Sequence, residues 1–86
     1  MTYYVYILRS LKDRRFYTGH TKNLSARLKE HNEGKVRSTK SRRPFKIVYF
    51  EEFETKSKAQ KREYFLKSPK GQALKHKLIR EFAQRS

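Results

Sequence analysis

Tyr3-Tyr4-Val5-Tyr6-Ile7-Leu8 decides the fold. The run is aromatic or β-branched on both of its alternating faces, the signature of a strand buried on two sides and therefore central in its sheet. Lys12-Asp13-Arg14-Arg15 is a polar break of turn length, and Phe16-Tyr17-Thr18-Gly19 reads as the returning strand of a hairpin. Asn23 can cap a helix from Leu24 to about Asn32, with Gly34 placed as its C′ residue. Lys35 to Arg43 is a basic loop stopped by Pro44, and Lys46 to Phe53 is a third strand. Ser57, with Gln60 three residues on, makes a capping box for a helix from Lys58 to about Lys67. Ser68-Pro69 starts the last helix, in which Leu74, Leu78 and Phe82 recur at i, i+4 and i+8 beside Ile79. The expected order is β-β-α-β-α-α. This is an α/β fold of the α+β type, a three-stranded antiparallel sheet flanked by three helices.

The 86 residues are expected to form one domain over 1–86. Mean hydropathy of −1.09 hints at disorder. Against it, Leu, Ile, Val and Phe supply 19 of the 86 residues, just above the level of roughly 20% below which chains stay unfolded. Six Tyr and six Phe add the aromatic surface that disordered segments lack. The core is compact and aromatic, with little apolar area to spare.

Charge carries the functional signal. Twenty-three Lys and Arg stand against eight Asp and Glu, a net +15. Such self-repulsion destabilises a compact state, so a polyanion is the expected partner. Nucleic acid fits best, because each neutralised phosphate releases condensed counterions. A membrane surface would call for a basic helix with aromatics along one face, whereas here the aromatics lie in strands. The chain has no Cys, which excludes a disulfide framework, a thiolate metal site and a cysteine nucleophile. Tyr3 to Leu8 is too short for a signal core or a membrane span, so a cytoplasmic location is expected. The three His lack zinc-ligand spacing, and there is no P-loop, dinucleotide fingerprint or serine elbow.

On the first helix, at about 100° per residue, Leu24 at zero puts Leu28 near 40°, His31 near 340° and Arg27 near 300°. Arg27 and His31 thus stack at the border of the apolar stripe, where a guanidinium has its stem held and its head aimed. A snorkelling Arg and a packed His fit the same wheel. On the second helix Glu63 lies toward the inner face. A carboxylate in a phosphate-binding domain repels its ligand unless it holds a hard divalent cation or a basic neighbour such as Arg62, Lys67 or Arg27. Tyr6 and Tyr17, on neighbouring strands, are core aromatics or phenols whose pKa a nearby Arg or metal would lower. Glu51, Glu52 and Glu54 are charged strand-end residues or a second acidic cluster. In the basic loop Lys35, Arg37, Lys40, Arg42 and Arg43 form a phosphate-contacting surface.

Together these residues resemble the GIY-YIG nuclease family, in particular its small stand-alone bacterial members. Tyr4-Val5-Tyr6 stands where the family has G-I-Y, with Tyr4 in place of the glycine. Tyr17-Thr18-Gly19, within Phe16 to Thr21, stands for Y-I-G. Arg27 follows Tyr17 by ten residues, His31 comes four later, and Glu63 in Lys61-Arg62-Glu63 matches the metal-binding glutamate of a later helix. Gly34 to Phe50, with Arg42-Arg43-Pro44 and Val48-Tyr49-Phe50, also looks like the stand-alone members, and the likeness runs from Tyr3 to Ile79. It implies that Glu63 holds one Mg²⁺ or Mn²⁺, that Arg27 stabilises charge at phosphorus, that Tyr6 or Tyr17 positions or deprotonates the attacking water, and that His31 supports that proton chemistry or hydrogen-bonds the phosphate. The expectation is a metal-dependent endonuclease acting on DNA rather than RNA, leaving a 5′-phosphate and a 3′-hydroxyl, as a monomer or weak homodimer. Two alternatives are a non-catalytic nucleic-acid-binding module on the same fold and a basic domain for acidic protein partners.

Overall fold

The computed structural model describes residues 1–85. Strands β1 (Tyr3–Ser10), β2 (Phe16–Thr21) and β3 (Phe45–Phe53) form an antiparallel sheet in the order β2-β1-β3. The aromatic and β-branched run is central, as its two-sided burial requires: Val5, Tyr6, Ile7 and Leu8 are all buried. Alternation sends them to opposite faces. Val5 and Ile7 join Tyr49, Ala59 and Leu66 under helices α2 (Lys56–Lys67) and α3 (Pro69–Arg85). Tyr6 and Leu8 join Phe45, Leu24 and Leu28 under α1 (Leu24–Asn32). The sheet is therefore covered on both faces, and β2 is left as an edge strand.

Local chemistry sets the boundaries. The Asn23 side chain accepts from the Ala26 amide at the start of α1. At its end Gly34 takes φ +81, with Gly34 N–H donating to the His31 carbonyl (3.2 Å) and Lys35 N–H to that of Glu30 (3.0 Å). This pair of bonds is a Schellman motif, and its left-handed residue is best supplied by glycine. In α3 Leu74, Leu78, Ile79 and Phe82 face the sheet, with Phe82 edge-on to Tyr49 and Phe50. Ser68 Oγ accepts from Gly71 N–H at that helix's start.

One boundary differs from expectation. The cap of α2 is Thr55, whose hydroxyl accepts from Lys58 N–H (3.2 Å), and the helix begins at Lys56. Both Thr55 and Ser57 are capping residue types. Thr55 has the extended backbone a cap needs (φ −129, ψ 152), whereas Ser57 is already inside the first turn. The basic loop is also more ordered than its composition suggests, with a short 3₁₀ turn over Lys40–Arg42 and a fully buried Thr39.

Candidate active site

The site begins where β2 lies against the buried ring of Tyr6. Tyr6 pairs with Gly19 across the strands, and Tyr17, two residues away on β2, shares that face. A Cβ built on Gly19 would stand 2.7 Å from the Tyr6 hydroxyl and 3.2 Å from the Tyr17 ring. Glycine is thus required for the phenol to lie across β2. The rings of Tyr6 and Tyr17 are 6.4 Å apart, and His31 sits against both, at 6.0 and 5.0 Å.

Helix α1 supplies the other two groups. Arg27 Nε donates to the Tyr6 hydroxyl (3.3 Å), which also contacts His31 Nε2 (3.1 Å). His31 Nδ1 meets Thr39 Oγ1 at 2.8 Å, and that hydroxyl donates to the Val36 carbonyl at 3.3 Å. His31 is fully buried, and its pKa is pushed down to about 4, by burial first and by the Arg27 charge second. It is a neutral imidazole at pH 7. Arg27 is held charged, its pKa raised chiefly by the bond to Tyr6. The phenol of Tyr6 departs from expectation. Burial, which disfavours phenolate, outweighs the lowering by Arg27 and pushes it up to about 12.

Glu63 approaches from the other side of the sheet. It is 16% exposed, with Oε1 at 2.6 Å from His20 Nδ1 and Oε2 at 2.7 Å from Lys67 Nζ. His20 projects from the face of β2 opposite Gly19, while Lys67 Nζ lies 5.8 Å from the centre of the Tyr17 ring on the α1 side. The groups of the two faces therefore meet around β2. Burial raises the carboxyl pKa, but the bonds from Lys67 and His20 together outweigh it, so Glu63 titrates below the usual carboxylate range. No three His, Asp or Glu side chains lie together as a metal cluster among the described residues. A single carboxylate could hold an ion that completes its shell with water and phosphate oxygens, as Mg²⁺ does, on exchanging a contact with His20 or Lys67 for it.

The basic-loop residues divide by environment. Arg37, Lys40 and Arg43 are exposed, Arg43 Nε donating to the Lys40 carbonyl, and Lys35 pairs loosely with Glu33 (3.1 Å). Arg42 is fastened instead: its Nε bonds Asp13 (2.8 Å) and its guanidinium stacks on Phe45. Glu51 binds Arg62 through both carboxylate oxygens (2.8 and 3.1 Å), which gives the first of the three strand-end acids a structural partner. The sequence pointed to Tyr6, Tyr17, Arg27, His31 and Glu63 and offered Lys67 among three possible partners of Glu63, but it gave no sign of Thr39 or His20. Lys67 carried a signal, since it stands i, i+4 from Glu63. Thr39 had none beyond being a hydroxyl in a basic loop.

Comparison with known proteins agrees with this geometry. The family model described as the GIY-YIG catalytic domain matches residues 2–77. A UPF0213 protein of Clostridium perfringens is 48% identical over 83 residues, covering 91% of this chain and 88% of its own length. A UPF0213 protein of Staphylococcus haemolyticus is 49% identical over 67 residues, covering 77% and 80%. The solution NMR structure of the UPF0213 protein BH0048 from Bacillus halodurans superimposes with a TM-score of 0.54 at 37% identity, over 91% of this chain and 85% of that one. With the family model spanning most of its length, and with Tyr6, Tyr17, Arg27 and His31 converging on one face of the sheet, the chain belongs to the GIY-YIG catalytic domain family.

Proposed function

We propose that the protein is a metal-dependent endonuclease that hydrolyses phosphodiester bonds in DNA, in the cytoplasm, leaving a 5′-phosphate and a 3′-hydroxyl. The observation that carries this reading is the hydrogen-bonded unit Arg27–Tyr6–His31. A charged guanidinium and a neutral imidazole both bond the one phenol oxygen, at the border between the buried core and the surface of α1. Arg27, with Nε on Tyr6 and Nη1 on Glu30 (3.2 Å), presents Nη2 to a phosphate oxygen and stabilises the charge that develops there. Tyr6 orients the attacking water; because burial pushes its pKa up to about 12 it is un-ionised at neutral pH, so it takes the water proton only as it hands its own to His31. Tyr17 packs against His31 and Tyr6 on the same face. Glu63 would hold the single Mg²⁺ or Mn²⁺, releasing Lys67, whose ammonium is nearly half exposed. When bound, that ion supplies Lewis-acid polarisation of the phosphate and neutralises charge on the leaving oxygen. Lys35, Arg37, Lys40 and Arg43 hold the flanking backbone.

A second reading has one observation in its favour. His20 and Lys67 already give Glu63 ion-pair partners, so an inward carboxylate has a role in a non-catalytic nucleic-acid-binding module too. The test is to incubate the pure protein with labelled duplex, branched and single-stranded DNA and with RNA, in Mg²⁺, Mn²⁺ or EDTA. Cleavage that requires the metal and is lost in Glu63→Gln supports the nuclease. Binding without cleavage of any substrate selects the module.

A further inference from the structure

We propose that Thr39 is a positioning residue that fixes His31 in the Nδ1–H tautomer and so leaves Nε2 to accept the Tyr6 proton. The catalytic consequence rests on the nuclease reading above; the tautomer itself does not. Thr39 and His31 are both fully buried, so neither has solvent as an alternative partner. The threonine is held by its own turn, with its N–H donating to the Val36 carbonyl (3.1 Å) and its carbonyl accepting from Arg42 N–H (2.9 Å). A threonine hydroxyl has one proton, and the Val36 carbonyl lies within 3.3 Å of it. With that proton directed to Val36, the oxygen faces His31 Nδ1 at 2.8 Å as an acceptor, which calls for Nδ1–H. The far end of the ring is then a bare Nε2, 3.1 Å from the Tyr6 hydroxyl. Arg27 Nε already donates to that hydroxyl, so the phenol's own proton is directed at Nε2.

This arrangement uses every short contact, running Arg27 to Tyr6 to His31 to Thr39 to the Val36 carbonyl. The reverse tautomer would point two N–H groups at the phenol oxygen, drop the threonine bond to Val36, and turn the phenolic proton out of the cluster. On the nuclease reading the difference decides whether the water can be activated. As the water oxygen bonds to phosphorus, its proton passes to the Tyr6 oxygen while the Tyr6 proton passes to Nε2; the departing 3′ oxygen takes a proton from solvent. An imidazole already protonated at Nε2 cannot take part. Thr39 lies within the Gly34 to Phe50 stretch of the likeness but in none of the site motifs quoted for it, and it would touch neither substrate nor metal.

Thr39→Val keeps the shape and removes the acceptor, and Thr39→Ser restores it. Long-range ¹H–¹⁵N correlation spectra of the ¹⁵N-labelled protein at neutral pH read the tautomer directly, with His31 assigned by its disappearance in His31→Gln. Wild type and Thr39→Ser should show Nδ1–H, and Thr39→Val should move toward Nε2–H. Cleavage of labelled branched duplex in Mn²⁺ should fall by about 10–100-fold in Thr39→Val, the loss seen when the group that orients a metal-ligating histidine is removed and carried over here to a proton-accepting one. It should recover in Thr39→Ser, with DNA affinity in EDTA unchanged in both. A wild-type His31 found as Nε2–H overturns the proposal without any variant, as does a folded Thr39→Val that retains Nδ1–H. Should the tautomer move as described while wild type cuts no substrate, Thr39's role stands and the nuclease reading falls.

Discussion

At the residue scale burial outweighs neighbouring charge for the two rings at the centre of the site, Tyr6 and His31. Tyr6 shows it best: Arg27 touches its oxygen, yet desolvation of the phenolate prevails and the group stays protonated. His31 follows the same rule with the opposite sign of ionisation, and this has two consequences. Its folded pKa of about 4 lies below its ordinary 6.5, so the unfolded chain takes up the proton first as pH falls. Its contribution to stability is complete above pH 6.5, is lost as pH falls toward 4, and levels off below that. The loss is on the order of 3 kcal/mol. Denaturant melts of wild type and His31→Gln across that window measure it, and equal pH slopes would refute it. Arg27→Ala should raise the His31 pKa, since the removed charge is the second cause of its depression, and an NMR titration reads the shift. The same variant should lose about 10²–10³ in cleavage rate with a much smaller loss of affinity; affinity that collapses in step with rate would make Arg27 a binding residue. Glu63→Gln separates the roles of the carboxylate. Lys67 is well exposed, so losing that pair costs no more than about 1 kcal/mol, and a larger loss of stability would mark the 2.6 Å contact with His20 as a structural bond.

At the element scale two glycines make contrasting predictions. A Cβ on Gly71 would stand 1.9 Å from the Phe65 carbonyl oxygen, in the corner where α2 turns into α3. That contact is backbone on both sides and cannot yield cheaply. Gly71→Ala should cost about 3 kcal/mol or more and lower Tm by over about 10 °C. Gly19→Ala meets the tip of the Tyr6 ring instead, so it should displace the phenol from His31 and reduce cleavage more than it reduces Tm; the reverse order would show that Gly19 serves only packing. The elements themselves were legible in the sequence because their signals are local: two-sided hydrophobicity for β1, Asn23 and Gly34 around α1, the four-residue apolar spacing in α3. The cap of α2 was ambiguous because two capping residues stand two apart and only backbone conformation chooses between them. The Arg27–His31 face was readable from helix geometry alone. Thr39 and His20 were not readable, since each meets its partner through tertiary closure, Thr39 by the turn that follows Gly34 and His20 across 43 residues to Glu63.

At the scale of the whole molecule electrostatics dominates. Asp13, Glu30, Glu33, Glu51 and Glu63 each hold a basic partner, so most of the eight acids are committed within the fold and the net +15 faces outward. The protein is about 28 Å across, a length of duplex that carries roughly 16 phosphates at one charge per 1.7 Å. Only those on the near side come within reach, and four to six contacts is a reasonable share. The slope of log K against log salt for duplex DNA should then be about −4 to −5, measured in EDTA so that binding is not confused with cleavage. The loop makes the finer distinction. Neutralising Arg37, Lys40 and Arg43 together removes three exposed charges and should flatten the slope by roughly 2–3, with affinity falling alike on all sequences and Tm unchanged. Arg42→Gln should behave differently, because its charge is spent on Asp13 and its guanidinium packs on Phe45. It should lower Tm while leaving the slope nearly as it was. If instead Arg42→Gln flattens the slope and leaves Tm alone, Arg42 leaves Asp13 for phosphate in the complex. If the triple variant leaves the slope untouched, DNA lies against another face, and the helical lysines of α2 and α3 become the surface to neutralise next.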